Sequence, residues 1–145
     1  MASKKITKKI EEEHFAIARA LSLPVSTKTS VEVASFMRGK EVKKVKRYLQ
    51  EVIEHKKSIP FKRYNRDVGH KPGQVAAGRF PEKAISYYMK LINNVEANAE
   101  NKGLDVENLI ISEVKANKGP GQYHYGRKRS RKMKNTHLFI KVVEK

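Results

Sequence analysis

Two stretches of this chain can contribute little to a core, and they divide everything that can. Residues 61–80, FKRYNRDVGHKPGQVAAGRF, show no hydrophobic period and hold three glycines, one proline and five Lys/Arg. Residues 116–135 hold three more glycines and almost nothing aliphatic. Glycine and proline punctuate a chain, and charged side chains stay in water. Regular structure must therefore come from the segments before, between and after these stretches.

The first segment supplies a strand and two helices. Phe15, Ile17, Leu21, Leu23 and Val25 recur at every second position, broken by Arg19, which predicts a half-buried strand closed by Pro24. Ser26 or Thr27 can then cap a helix running to about Arg38, with Gly39 as its stop. Val31, Ala34 and Ser35, flanked by Val33 and Met37, are the expected buried stripe. In the next helix Val42, Val45, Leu49, Val52 and Ile53 fall at helical spacing beside Tyr48, with Lys43, Lys44, Lys46 and Arg47 opposite. His55, Lys56 and Lys57 suit its negative C-terminal end, and Ser58 and Pro60 close it. Residues 3–13 could add a short helix.

The middle segment reads as one strong helix over about 82–101. Pro81 suits its start, Ala84, Ile85, Tyr88, Leu91, Ile92, Val95 and Ala99 form its stripe, and Gly103 ends it. Leu109–Lys115 and Thr136–Val143 are short and β-branched, which predicts two strands. Joined through 116–135, they form an antiparallel hairpin whose polar middle projects from the body. With nine residues or so per arm it could reach about 25–30 Å.

Charge then says what such a body can hold. The chain has 32 Lys+Arg against 15 Asp+Glu, a net +17. A small domain repels itself at this charge unless a polyanion neutralises it, and nucleic acid is the commonest such partner. The distribution is oriented. Lys115 to Lys134 holds eight bases and no acid, Arg38 to Lys57 eight bases and three acids, and Lys62 to Lys83 six bases and two acids. Ala84 to Glu113 is instead net −3, from Glu96, Glu100, Asp105, Glu107 and Glu113 against Lys90 and Lys102. No apolar run approaches a membrane span, and the N-terminal residues show no secretory h-region. Without cysteine there is neither a disulfide framework nor a thiolate metal site.

The candidate RNA-binding residues follow from these basic stretches. Lys118, Tyr123, Tyr125, Arg127, Lys128, Arg129, Arg131, Lys132 and Lys134 combine phosphate-neutralising cations with rings that can stack on unpaired bases. Lys62, Arg63, Tyr64, Arg66, His70, Lys71 and Arg79 do so in the 61–80 loop, and Arg38, Lys40, Lys43 and Lys44 on the first two helices. A solvated surface loop and a nuclear-import signal are the competing readings of Arg127–Lys134. Gly73 to Phe80 mimics half a P-loop but lacks its Lys and Ser/Thr, and no strand precedes it. The five histidines share no ligand spacing, and no acidic pair stands beside the basic segments to hold Mg²⁺, so neither a metal nor another cofactor is expected. A chromatin-type architectural protein and a membrane-surface protein are the other classes that share this charge.

Three blocks carry a resemblance. They are Arg38-Gly39-Lys40 followed by the helix Glu41–Glu54; Pro60 to Asn65 with Gly69-His70-Lys71-Pro72-Gly73 and Gly78-Arg79-Phe80-Pro81; and Asn94 to Glu100 with Gly103-Leu104-Asp105, Glu107-Asn108-Leu109 and Thr136-His137. Over about residues 14–143 the chain resembles the universal large-subunit ribosomal protein L twenty-two family in its archaeal/eukaryotic form, called L seventeen in eukaryotes. The resemblance implies an α+β fold: a small three-stranded antiparallel sheet on about three helices, with a long projecting β-hairpin. It implies one domain over 1–145 with no enzymatic activity. It further implies a cytoplasmic, ribosomal structural protein near the polypeptide exit tunnel that supports subunit assembly. The implied partners are large-subunit rRNA, neighbouring large-subunit proteins and, as a further candidate, the nascent polypeptide; no membrane is among them. One block departs from the family. Its hairpin tip usually reads close to Pro-Arg-Ala-x-Gly-Arg-Ala, whereas Tyr123-His124-Tyr125-Gly126-Arg127-Lys128-Arg129 stands here in a loop about five residues shorter.

Overall fold

The computed structural model describes residues 14–73 and 75–145, so the helix expected within 3–13 lies outside the described residues. In chain order the elements are β1 (Phe15–Leu23), α1 (Thr27–Met37), α2 (Val42–Ile53), β2 (Ile59–Pro60), β3 (Gly78–Arg79), α3 (Glu82–Asn101), β4 (Leu109–Lys118) and β5 (Thr136–Glu144). The class is α+β. β5 is the central strand of an antiparallel sheet ordered β1-β5-β4, and β2 and β3 form a separate two-stranded ribbon. All three helices contribute to one apolar cluster with the inner face of that sheet. No helix among the described residues is long and apolar enough to cross a membrane.

β1 forms where its alternation predicts, but it buries the opposite face. Ala16 and Ala18 are the buried residues, whereas Leu21 is 70% exposed. The reason is α3, which lies directly on β1. Asn98 donates from Nδ2 to the Ile17 carbonyl and Lys102 from Nζ to the Phe15 carbonyl, each at 2.9 Å. Small side chains let the helix approach this closely, so the bulky residues turn outward. Overpacking a full site usually costs about 1–3 kcal/mol, and an exposed truncation less than about 0.5. Ala16→Leu should therefore destabilise the chain by about 1–3 kcal/mol in urea melts, while Leu21→Ala leaves its midpoint almost unchanged.

α3 buries Ala84, Ile85, Tyr88, Leu91, Ile92, Val95 and Ala99, the stripe that its sequence displays. α2 buries Val42, Val45, Leu49 and Val52. α1 departs from expectation. Its buried residues are Ser30, Glu32, Val33, Ala34 and Met37, while Val31 is half-buried and Ser35 exposed. Ser26 occupies the N-cap position without making a side-chain cap bond. Gly39 does terminate the helix, at φ +76°, a conformation that glycine adopts without strain. The backbone then runs along the outer edge of β4: Gly39 N–H donates to the Ile111 carbonyl at 2.8 Å and Ile111 N–H to that of Lys40 at 2.9 Å. An otherwise open sheet edge is thereby partly covered.

The 61–80 stretch is closed at its base, which its composition hides. Ile59 and Phe61 are buried, and the β2–β3 ribbon continues through Phe61 N–H to the Ala77 carbonyl at 2.9 Å. Within Gly73 to Phe80, Gly78 and Arg79 are themselves paired in β3, so these residues are not the loop between a strand and a helix that a P-loop requires.

Candidate nucleic-acid interface

The predicted basic residues assemble around α1, which lies between the base of the hairpin and the start of the 61–80 loop. On the hairpin side, Thr136 is fully buried at the first position of β5. Its hydroxyl donates to the Val25 carbonyl at 2.9 Å and lies 2.7 Å from the Thr27 hydroxyl at the head of α1. This contact fixes the hairpin base against the helix, and a groove there brings Lys28, Lys118, Lys132 and Lys134 together. Lys134 also lines a hollow beside Phe80 and Lys83.

On the loop side the anchor is a buried carboxylate. Glu32 is 2% exposed and accepts three backbone N–H bonds, from Lys62 at 3.1 Å, Arg63 at 2.8 Å and Tyr64 at 2.6 Å. A buried charge is tolerated when its acceptor sites are filled in this way. The clip points the backbone at α1, so the Lys62 and Arg63 side chains stand out in solvent. Together with Arg38 and Lys115 they line a second groove between α1 and β4. Lys28 connects the two sides, its Nζ lying 5.7 Å from the centre of the Tyr64 ring.

The arm itself is a paired hairpin. Gly119 N–H donates to the Asn135 carbonyl, Met133 N–H to that of Gln122 and His124 N–H to that of Arg131, at 2.9, 2.7 and 2.9 Å. A turn through Gly126–Lys128 closes it, so each side is shorter than expected, roughly 20 Å when extended. Gly119 marks where it leaves the sheet. A Cβ there would lie 2.7 Å from Asn135 Oδ1 and 2.9 Å from His137 Nε2, so a larger residue would have to displace those two side chains. Lys118, Tyr123, Tyr125, Arg127, Lys128, Arg129, Arg131, Lys132 and Lys134 are all exposed, Tyr125 at 89%. Among the described residues, no acid lies within ion-pair distance of any cation of this arm.

The remaining predicted residues divide. Arg66, His70 and Arg79 are exposed in the loop, Arg66 beside Asp67, while Lys71 is half-buried with its Nζ near the Phe80 ring. Arg38 donates from Nη2 to the Val114 carbonyl at 3.0 Å, and Lys40 sits 3.1 Å from the centre of the Phe36 ring. Partial burial, reinforced by the charge of Lys62, holds the Lys40 ammonium below its usual range. Lys43 and Lys44 stand apart. Lys43 pairs with Glu107 at 2.8 Å and Lys44 with Glu41 at 2.9 Å, at the end of the sheet farthest from the hairpin. The acidic stretch of the sequence is thus spent partly on α2, since Lys46 also pairs with Glu96 at 2.7 Å.

Two contributors escape a reading of the sequence. Lys28 is an isolated base whose neighbours come from positions some 36 and 90 residues later, and no local pattern marks it. Glu32 sits among valines on α1, and that is a usable signal. A carboxylate on a helix side otherwise apolar must find donors, but the sequence does not say where.

The family model described as ribosomal protein L22p/L17e matches residues 18–143. The large ribosomal subunit protein uL22 of Methanoculleus marisnigri is 50% identical over 114 residues, covering 77% of this chain and 74% of that protein. The uL22 of Archaeoglobus fulgidus is 44% identical over 111 residues, 75% and 72% of the two chains. That of Nanoarchaeum equitans is 42% identical over 141 residues, 91% and 80%.

Proposed function

Because the chain belongs to the ribosomal protein L22p/L17e family and is a structural, non-enzymatic constituent of the large ribosomal subunit, we propose that it acts there by binding rRNA through the basic side built around α1. The observation that supports this most is the arm over 118–134, whose seven exposed cations have no acidic partner among the described residues. Such a surface remains self-repelling until phosphates neutralise it. In this reading one domain carries two RNA-binding extensions. The arm inserts between rRNA segments, and the loop held by Glu32 lays Lys62, Arg63 and Tyr64 on the RNA beside it. Subunit assembly is supported because one compact body bridges separate RNA segments. The body sits near the polypeptide exit tunnel among other large-subunit proteins, with the arm directed towards the tunnel wall, where the nascent chain passes.

Binding of the free protein to large-subunit rRNA fragments should depend steeply on salt. With about eight phosphates neutralised, log affinity should fall against log salt with a slope of about −6 to −7. A filter-binding titration across salt concentrations measures this. A slope shallower than about −2 would remove phosphate neutralisation as the main contribution.

A further inference from the structure

The outer face of the three-stranded sheet lies apart from the arm and the loop, and meets the α1–β4 groove only along its β4 edge, where Lys115 lies. The helices cover the other face, where Ala16, Ala18, Ile111, Val114, Leu138, Ile140 and Val142 are buried. The outer face presents Phe15, Ile17, Arg19 and Leu21 from β1 and His137, Phe139 and Lys141 from β5. Among the described residues, no element covers it. The pairing registers place Arg19 opposite Phe139 and Phe139 opposite Lys115, so one row across all three strands reads cation, ring, cation. The Arg19 guanidinium and the Lys115 ammonium each lie 5.5 Å from the centre of the Phe139 ring. A second ring, Phe15, also has two cations beside it: Lys141 of β5 at 4.4 Å and Lys102, at the end of α3, at 4.7 Å from its centre. The one acid in these rows, Glu113, is bound to Lys115 at 2.6 Å. A shallow hollow lies between Leu21, Asn117, His137 and Phe139, at the end of the sheet from which the arm departs.

This pattern selects among partners. A purely apolar protein surface would strand four cations out of water, and an acidic one would have little use for flat rings held between them. Unpaired nucleotides match both features, because each offers a planar base to stack and a phosphate to neutralise. We propose that this outer face is a second RNA-binding surface. It takes an unpaired rRNA stretch, with a base stacked on Phe139 and the flanking phosphates held by Arg19 and Lys115. The proposal rests on the rRNA-binding reading above and adds to it a stacking site, distinct from the phosphate contacts of the arm and loop.

Ultraviolet crosslinking of the full chain assembled into large subunits, followed by peptide mapping, tests it. The peptide spanning 135–141 should carry an RNA adduct at Phe139, alongside adducts on peptides from the arm. In free-protein titrations Phe139→Leu should weaken binding to large-subunit rRNA roughly five- to a hundredfold, the range typical of losing one stacked base. Since this variant could disturb the sheet, Arg19→Gln is measured in parallel. That change lies at an exposed position and should lower affinity with an unaltered melting temperature. Arm adducts without a Phe139 adduct would overturn this proposal and leave the broader reading standing. So would a Phe139 crosslink to another protein or to residues 1–13 of this chain. Absence of adducts from both arm and sheet would sink the rRNA-binding reading itself.

Discussion

Glu32→Ala is expected to lower the melting temperature by about 10–15 °C, because Glu32 is a buried carboxylate that holds a loop. The carboxylate accepts the backbone N–H groups of Lys62, Arg63 and Tyr64. Hydrogen bonds to a charged group contribute about 1.5–3 kcal/mol each, and a buried donor left without a partner costs about 1–3 kcal/mol. These contributions are not additive, so a total of about 3–5 kcal/mol is the reasonable expectation, at roughly 2–4 °C per kcal/mol for a chain of this size. Glu32→Gln keeps one acceptor oxygen and should lose about half as much. Glu113→Ala is the control, because its pair with Lys115 is largely solvated and such pairs contribute about 0–1 kcal/mol. Differential scanning calorimetry on the three variants measures this. Equal, small shifts for Glu32→Ala and Glu113→Ala would show that the loop is held by its β2–β3 ribbon alone.

That clip also marks where reading the sequence stops. α3 was legible to the residue, because a long stripe with a proline before it and a glycine after it has one interpretation. α2 was legible from its own stripe, with Gly39 before it and Ser58 and Pro60 after it. β1 was legible as a strand but not as a surface. Both of its faces carry apolar residues, and only the arrival of α3 decides that Ala16 and Ala18, not Phe15 and Ile17, go inside. The cations of the arm announce themselves by running together. Those that act through tertiary neighbours do not: Lys28 gains its place from the hairpin base and Tyr64, and Lys43 loses some of its freedom to Glu107. The open sheet face was hidden for a related reason, since Arg19, Lys115 and Phe139 are far apart in sequence and meet only through strand register.

The second large effect concerns the arm. Its backbone is paired, yet of residues 118–134 only Gly119 is buried. Fixing each backbone costs roughly 1–2 kcal/mol, and burial here is too slight to offset some seventeen of them. The arm should therefore contribute little to folding, and its amides should exchange readily in the free protein and become protected once rRNA is bound. Removing it should nevertheless be severe for binding. Seven cations go together; if they hold about half of the eight phosphates, at about 0.7–0.9 of a decade in slope for each, the salt dependence becomes shallower by roughly 3–4. At near-physiological salt this corresponds to an affinity loss on the order of a thousandfold.

The role of the arm is decided by rRNA affinity and melting temperature determined together for a chain in which a short glycine-containing turn replaces residues 118–134. The arm as a docking element predicts a melting temperature within a few degrees of the parent and binding weakened about a thousandfold, with the shallower salt slope. A domain that collapses on this replacement, or one that binds rRNA as tightly as the parent, would contradict it.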